Sequence, residues 1–177
     1  MELNLITGKD DLRPILKYIK VTKEKCIATN AHVLGIVPTN EVFEEEFIEE
    51  IPDDGFLIHS EEWKKLKGNL IVEWKTPITN QNGVIKVIFK KKRPILFETA
   101  SEKIIGKYIN WQAVIPQGEL QMINKVGINC RLAYDLQKSL GADSGFRFEF
   151  YGDGKGIKCY PIASASKAYG LIMQVKI

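Results

Sequence analysis

Two histidines, three cysteines and a run of alternating glycines are the residues here whose types could do chemistry. His32 stands beside a turn with no second histidine or carboxylate at ligand spacing, and His59 lies far along the chain. Neither an acid-base pair nor a zinc site is spelled out by them. Cys26, Cys130 and Cys159 are odd in number, far apart and without CxxC spacing, which reads as buried thiols in a reducing compartment. Gly152, Gly154 and Gly156 alternate with Asp153 and Lys155, the chemistry of a hairpin turn and not of a phosphate loop. There is no HExxH, no GxSxG and no convincing acid-base pair of carboxylates on a regular element. The expectation is a protein that is not an enzyme and has no catalytic residues, metal or cofactor.

The cations are the other chemically suggestive set. Arg13, Lys17 and Lys20 are spaced four and three apart, so on a helix all three would point one way. Lys64, Lys67, Arg131 and Lys138 also fall on predicted helices, although Glu61, Glu62 and Asp135 share those elements. A net charge of +3 does not argue for nucleic acid by itself, so these rows read either as solvated faces or as phosphate-tracking ones. Lys90 to Arg93 adds a basic run that fits a solvated turn or a phosphate-contacting rim.

The elements that must position these residues repeat. Glu2 to Ile6 alternates as a strand. Asp10 or Asp11 then opens a predicted helix containing Leu12, Ile15, Leu16 and Ile19, with Pro14 in its first turn. Lys25 to Thr29 and His32 to Val37 read as strands joined at Asn30 and Ala31, followed by an acidic connection over 38–54. Phe43, Phe47, Ile48 and Ile51 are interleaved in that connection, as a short amphipathic helix or a loop. The pattern restarts with a strand over Gly55 to His59 and a helix that Ser60 caps, in which Trp63 and Leu66 face a core. Strands over Leu70 to Trp74, Val84 to Phe89 and Ile95 to Thr99 follow, with turn residues around Asn80 to Gly83 and at Arg93-Pro94.

A third copy occupies the last fifty or so residues. Asn129 caps a helix whose Leu132, Leu136 and Leu140 share one face, and Gly141 ends it in a left-handed conformation. Phe146, Phe148 and Phe150 alternate with Arg147 and Glu149, the pattern of a strand with one buried face. Gly156 to Ile162 and the apolar Tyr169 to Val175 complete the unit.

Three strings carry a resemblance to the bacterial DNA polymerase III β subunit, the sliding clamp. ATNAHVLGIV is similar to that family's "ATDGHRLA": Ala28, Thr29, His32 and Leu34 match, while Asn30, Ala31 and Val33 replace Asp, Gly and Arg. GKYINWQAVIP resembles the linker "GKYPDWRRVIP", with Gly106, Lys107, Tyr108, Trp111, Val114, Ile115 and Pro116 in register and Ile109 and Asn110 replacing Pro and Asp. The ending AYGLIMQVKI resembles "YLLMPMRL", with Met173 kept and Gln174 in place of Pro.

The resemblance implies an α+β protein with the DNA-clamp fold, built of three strand-helix-three-strand modules: one full clamp domain plus a half domain, helices on one face and antiparallel sheets on the other. The implied boundaries are a two-module domain over 1–105 (1–54 and 55–105), a linker over 106–124 and a third module over 125–177. One module of the usual pairing is missing, and an unpaired third module would expose an apolar face. A two-fold self-association through that module is therefore expected, giving a dimer or a higher ring.

The implied function is a shortened, divergent clamp of DNA replication: a processivity factor that tracks double-stranded DNA without sequence preference, and recruits clamp-binding peptides of polymerase or repair proteins. Arg13, Lys17, Lys20, Lys64, Lys67, Arg131 and Lys138 are then the DNA-contacting candidates. Thr29, His32, Leu34, Pro116, Met173 and Val175 are the peptide-cleft candidates, a set that could equally fill the seam between modules. The alternative is a clamp-like interaction module or regulator that does not encircle DNA. The N-terminus lacks a basic segment followed by an apolar run, and no stretch approaches the ~20 apolar residues of a membrane span. A cytoplasmic protein without a membrane partner is expected.

Overall fold

In the strands over Tyr18–Val21, Lys25–Thr29 and Val33–Pro38, alternating side chains meet apolar clusters on both faces. Ile19 and Val21 belong to one apolar cluster while Tyr18 packs on a second, and Cys26 and Ala28 are divided from Ile27 in the same way. The sheet they form is therefore the middle layer of three. These relations come from a computed structural model that describes residues 1–66, 72–74, 84–89, 94–100, 105–162 and 164–176, with side chains left out at 72–74, 84–89 and 94–98.

Ten strands among the described residues make one antiparallel sheet. They are β1 (Tyr18–Val21), β2 (Lys25–Thr29), β3 (Val33–Pro38), β4 (Phe56–His59), β5 (Val72–Trp74), β6 (Val84–Phe89), β7 (Pro94–Ala100), β8 (Phe146–Glu149), β9 (Ile157–Pro161) and β10 (Tyr169–Ile172). Their order is β5-β6-β7-β4-β1-β2-β3-β10-β9-β8. The third module joins the first by strand pairing, with Leu171 opposite Leu34 and Gly170 opposite Gly35.

The inner layer holds the helices α1 (Glu45–Glu49), α2 (Ser60–Trp63) and α3 (Cys130–Leu140). Phe47, Trp63, Leu136 and Leu140 from these helices share one cluster with the inward residues of the sheet. Close packing there depends on absent side chains: a Cβ on Gly170 would lie 2.6 Å from Leu136 Cδ1 and 2.7 Å from Leu34 O. The outer layer is the segment around Tyr108 and Trp111, which lies across Ile27, Leu34, Ile36, Leu57 and Leu171.

The third module follows its sequence closely. Asn129 Oδ1 accepts from the amides of Arg131 and Leu132 at 3.0 and 3.3 Å, and Gly141 closes α3 with φ 65°. The first module does not. Glu2 to Ile6, expected as a strand, contains a 3-10 turn at Leu3–Ile6 that packs under α3. The expected helix over residues 10 to 20 is instead a bend, a 3-10 turn at Pro14–Lys17 and strand β1. Strand pairing explains the difference, because β1 lies between β2 and β4 and is extended by both.

Three smaller expectations are also corrected. Ser60 is not the cap of α2: it is the first helical residue and buried, and His59 caps instead, its Nδ1 accepting from Glu61 N at 3.3 Å. None of the three alternating phenylalanines is fully buried: Phe146 and Phe150 are half-buried and Phe148 is 37% exposed, on the strand that ends the sheet. The third module is not left with an open apolar face, since α3 packs on the Leu3–Ile6 turn and β3, with Leu136 and Leu140 buried. The turns at Asn80 to Gly83 and Lys90 to Arg93 lie outside the described residues.

Candidate functional site

The hairpin between β2 and β3 on the outer side is held by side-chain hydrogen bonds from Thr29 and Asn30. Asn30 Oδ1 accepts from the amides of His32 and Val33, both at 3.0 Å. Thr29 Oγ1 accepts from Ala31 N at 3.1 Å and donates to Val33 O at 2.7 Å. These bonds hold Ala31 at φ 75°, the one described non-glycine residue in the left-handed region, where a Cβ is disfavoured by about 1–2 kcal/mol. The end of β10 is tied to the same hairpin, Met173 N donating to His32 O at 2.9 Å.

A second edge comes from the turn before β1. Asp10 Oδ1 accepts from the amides of Leu12 and Arg13 at 3.0 and 3.3 Å, and Lys17 pairs with Asp11. That turn projects Leu12, which is 91% exposed, and Arg13. The third edge is the segment 105–114. Tyr108 is buried and its hydroxyl lies 3.2 Å from Tyr18 O and 3.1 Å from Ile27 O, while Trp111 is buried with Lys25 Nζ 5.3 Å from its ring centre. Burial pushes the Tyr108 hydroxyl pKa well up, so it stays a donor. With those two rings anchored, Ile109 and Val114 are left facing the same space as Leu12 and Met173.

Together these edges enclose a cleft of about 550 Å³. Its apolar walls include Ile15, Leu34, Ile105, Ile109, Leu171 and Met173, and Arg13, His32 and Lys107 also line it. Such a space suits apolar side chains presented by an extended chain, and its Met adapts to their shape. Thr29 Oγ1 is engaged by the hairpin, and no metal-ligating cluster is found among the described residues.

Of the six cleft candidates, Thr29, His32, Leu34 and Met173 line this space. Pro116 is buried and Val175 is bonded through its amide to Gly127 O at 2.9 Å, and neither lines the cleft. Leu12, Ile15, Ile109 and Val114 also line the space and are not among the sequence candidates, although Val114 stands in register with the linker string.

The cationic candidates divide between the two sides of the sheet. Lys64 and Arg131 stand with the helices, exposed and paired with Glu61 at 2.6 Å and Asp135 at 3.1 Å, and exposed Lys138 lies 5.7 Å from the Tyr134 ring centre. Lys20 follows Tyr18 by two in β1 and so shares its outer face. Arg13 lines the cleft, Lys17 belongs to the turn beside it, and Lys67 lies outside the described residues.

No protein-family model matches the sequence, and no characterised protein matches it by sequence. Solved structures do match. DNA polymerase III subunit beta from Borrelia burgdorferi, in complex with a natural product, superposes with a TM-score of 0.65 over 99% of this chain at 14% identity. The sliding clamp from Pseudomonas aeruginosa bound to griselimycin gives 0.63 over 98% at 13%, and that from Bacillus subtilis 0.61 over 99% at 14%. The chain has the fold of bacterial sliding clamps. It covers 60 to 61% of those three proteins' length. The helices line one side of the sheet in this clamp fold and the cleft opens on the other. No described helix is long and apolar enough to cross a membrane.

Proposed function

We propose that the protein is a sliding-clamp-like component of DNA replication that captures short apolar peptides of polymerase or repair proteins in the cleft between its hairpin, its 105–114 segment and its last strand. One observation carries this reading: three segments distant in sequence converge on one apolar cleft, set in a clamp fold, and two exposed apolar residues, Leu12 and Val114, stand at it instead of being tucked away. A seam that merely glued modules together would bury them.

DNA tracking is the second half of the proposal and requires assembly. Lys64, Arg131 and Lys138 would face duplex phosphates from the helix layer of a closed ring, with the salt dependence of non-specific binding. Assembly is supported by the open β8 edge, where Phe148 remains part-exposed at the end of the sheet. Light scattering at micromolar concentration should give a mass above one chain, and a strict monomer would remove the ring. The alternative, an interaction module that does not encircle DNA, is favoured by the acidic partners that already neutralise Lys64 and Arg131.

The test of the central reading is a fluorescence titration with an apolar peptide, using Met173→Ala as control. Saturable binding weakened by the substitution supports peptide capture. Absence of binding to a folded protein reduces the cleft to a seam.

A further inference from the structure

The self-assembly on which the DNA-tracking reading rests needs a surface, and the edge of the sheet at β8 has the form of one. Ile162 N donates to Gly145 O at 3.0 Å, and along β8 Arg147 lies opposite Tyr160 and Glu149 opposite Lys158. Backbone groups alternate in direction along an antiparallel strand, so Gly145, Arg147 and Glu149 turn theirs toward β9. Phe146, Phe148 and Phe150 turn theirs outward. Among the described residues no strand takes up that edge. One described backbone bond reaches it: Gln121 N, in the segment that leads into α3, donates to Phe150 O at 2.9 Å. Leu120 and Met122 on either side of that bond are exposed, so the crossing segment buries neither apolar side chain.

We propose that β8 pairs with β8 of a second copy, antiparallel and centred on Phe148, and that the 117–125 segment guards that edge until it does. The stretch Phe146-Arg147-Phe148-Glu149-Phe150 is complementary to itself about its middle residue. In this register Phe148 meets Phe148, Phe146 meets Phe150, and each Arg147 stands opposite Glu149 of the other copy. Moving the centre to Arg147 sets arginine against arginine, and moving it to Glu149 sets glutamate against glutamate. Opposite charges and aromatic pairs stabilise a strand pair, while like charges directly opposite destabilise it. The outward backbone groups of Phe148 make two reciprocal bonds at the two-fold axis. The rings of Phe146, Phe148 and Phe150 already form a row with centres 6.1 and 6.4 Å apart, which the second copy continues across the axis. On the other face Arg147 and Glu149 of one chain lie 3.3 Å apart, so the four charged side chains alternate in sign. Phe150 O is also the acceptor that the Phe146 amide of the other copy requires. Gln121 N competes for it and is released as the strands pair.

Sedimentation equilibrium of the full chain and its charge variants tests the register. Arg147→Glu sets acid against acid at both charged pairs and Glu149→Arg sets base against base, so each variant is expected to dimerise roughly tenfold more weakly. An equimolar mixture of the two should form a mixed dimer, in which every pair is opposite in sign. The double exchange Arg147→Glu, Glu149→Arg should restore the wild-type affinity, and unchanged circular dichroism spectra confirm that the variants fold. Amide hydrogen exchange gives a second readout: with rising protein concentration the Phe148 amide should gain protection while the Gln121 amide loses it. A dimer indifferent to the charge variants overturns the β8 pairing and leaves self-assembly standing. A Gln121 amide that stays protected in the dimer overturns the guard. A strict monomer at every concentration removes the pairing and the ring together, and leaves peptide capture to its own titration.

Discussion

The two faces of the sheet solve opposite problems. On the inner face apolar side chains from the helices are buried against the strands, and two of its three candidate cations are answered by an acid. On the outer face the 105–114 segment is pinned by Tyr108 and Trp111, while the cleft beside it keeps apolar walls and two cations that no described acid pairs with. The inner face is a completed core with a screened surface. The outer face keeps an open apolar cleft, the one that the proposed peptide capture would use.

Disturbing the inner core should give the largest effect. Leu136→Ala removes a fully buried side chain from under Gly35 and Gly170, where the neighbouring backbones leave little room to collapse. A loss of about 2–5 kcal/mol is expected from chemical denaturation, and peptide affinity at the cleft should fall with it because β10 carries Leu171 and leads directly into Met173. If stability drops while affinity holds, the faces are more independent than the shared strand implies.

Changing the outer hairpin should act with the opposite sign. Ala31→Gly relieves a left-handed alanine, and a gain of up to about 1 kcal/mol in denaturation is expected. The gain is partial because glycine also raises the entropy of the unfolded chain. A destabilised variant would mean that the Ala31 methyl packs more than its backbone strains.

Alkaline pH probes the inner face through its thiols. Burial pushes Cys26 and Cys159 from 9.0 up to about 12, so the folded state holds protons that the unfolded chain gives up. Their contribution is intact below pH 9.0 and is lost as the pH climbs toward about 12. The thermal midpoint should decline across that window. A thiol reagent at pH 8 should modify exposed Cys130 while sparing the other two.

The smallest effect is expected at the inner charges. Lys64→Gln should alter stability by no more than about 1 kcal/mol, since its ion pair with Glu61 is exposed. If the helix layer meets duplex DNA, the same substitution should lower the steepness of its salt dependence by roughly one unit. An unchanged slope would assign Lys64 to solubility alone.

The third module was legible in the sequence because its local signals agree with one another: the Asn129 cap, the four-residue spacing of its leucines and Gly141 all describe the same helix. The first module was misread because Leu12, Ile15, Leu16 and Ile19 fit a helical period while long-range pairing drew Tyr18 to Val21 into the sheet. Propensity lost to strand partners that no local window contains. The same limit applies at the site. Thr29, His32, Leu34 and Met173 were found from matching strings, but Leu12 and Ile15 were assigned to a helix that does not form. Neither string nor period shows which face of the sheet a charge occupies, so only the three-dimensional structure places Arg13 and Lys107 together at the cleft.

The most direct test is to watch where a peptide lands. With methyl groups of Leu, Ile and Met labelled, titration of an apolar peptide should shift the resonances of Leu34, Leu171 and Met173 on the outer face while leaving Leu136 and Leu140 unmoved. Shifts centred on the leucines of the helix layer, or none at saturating peptide, would contradict the account.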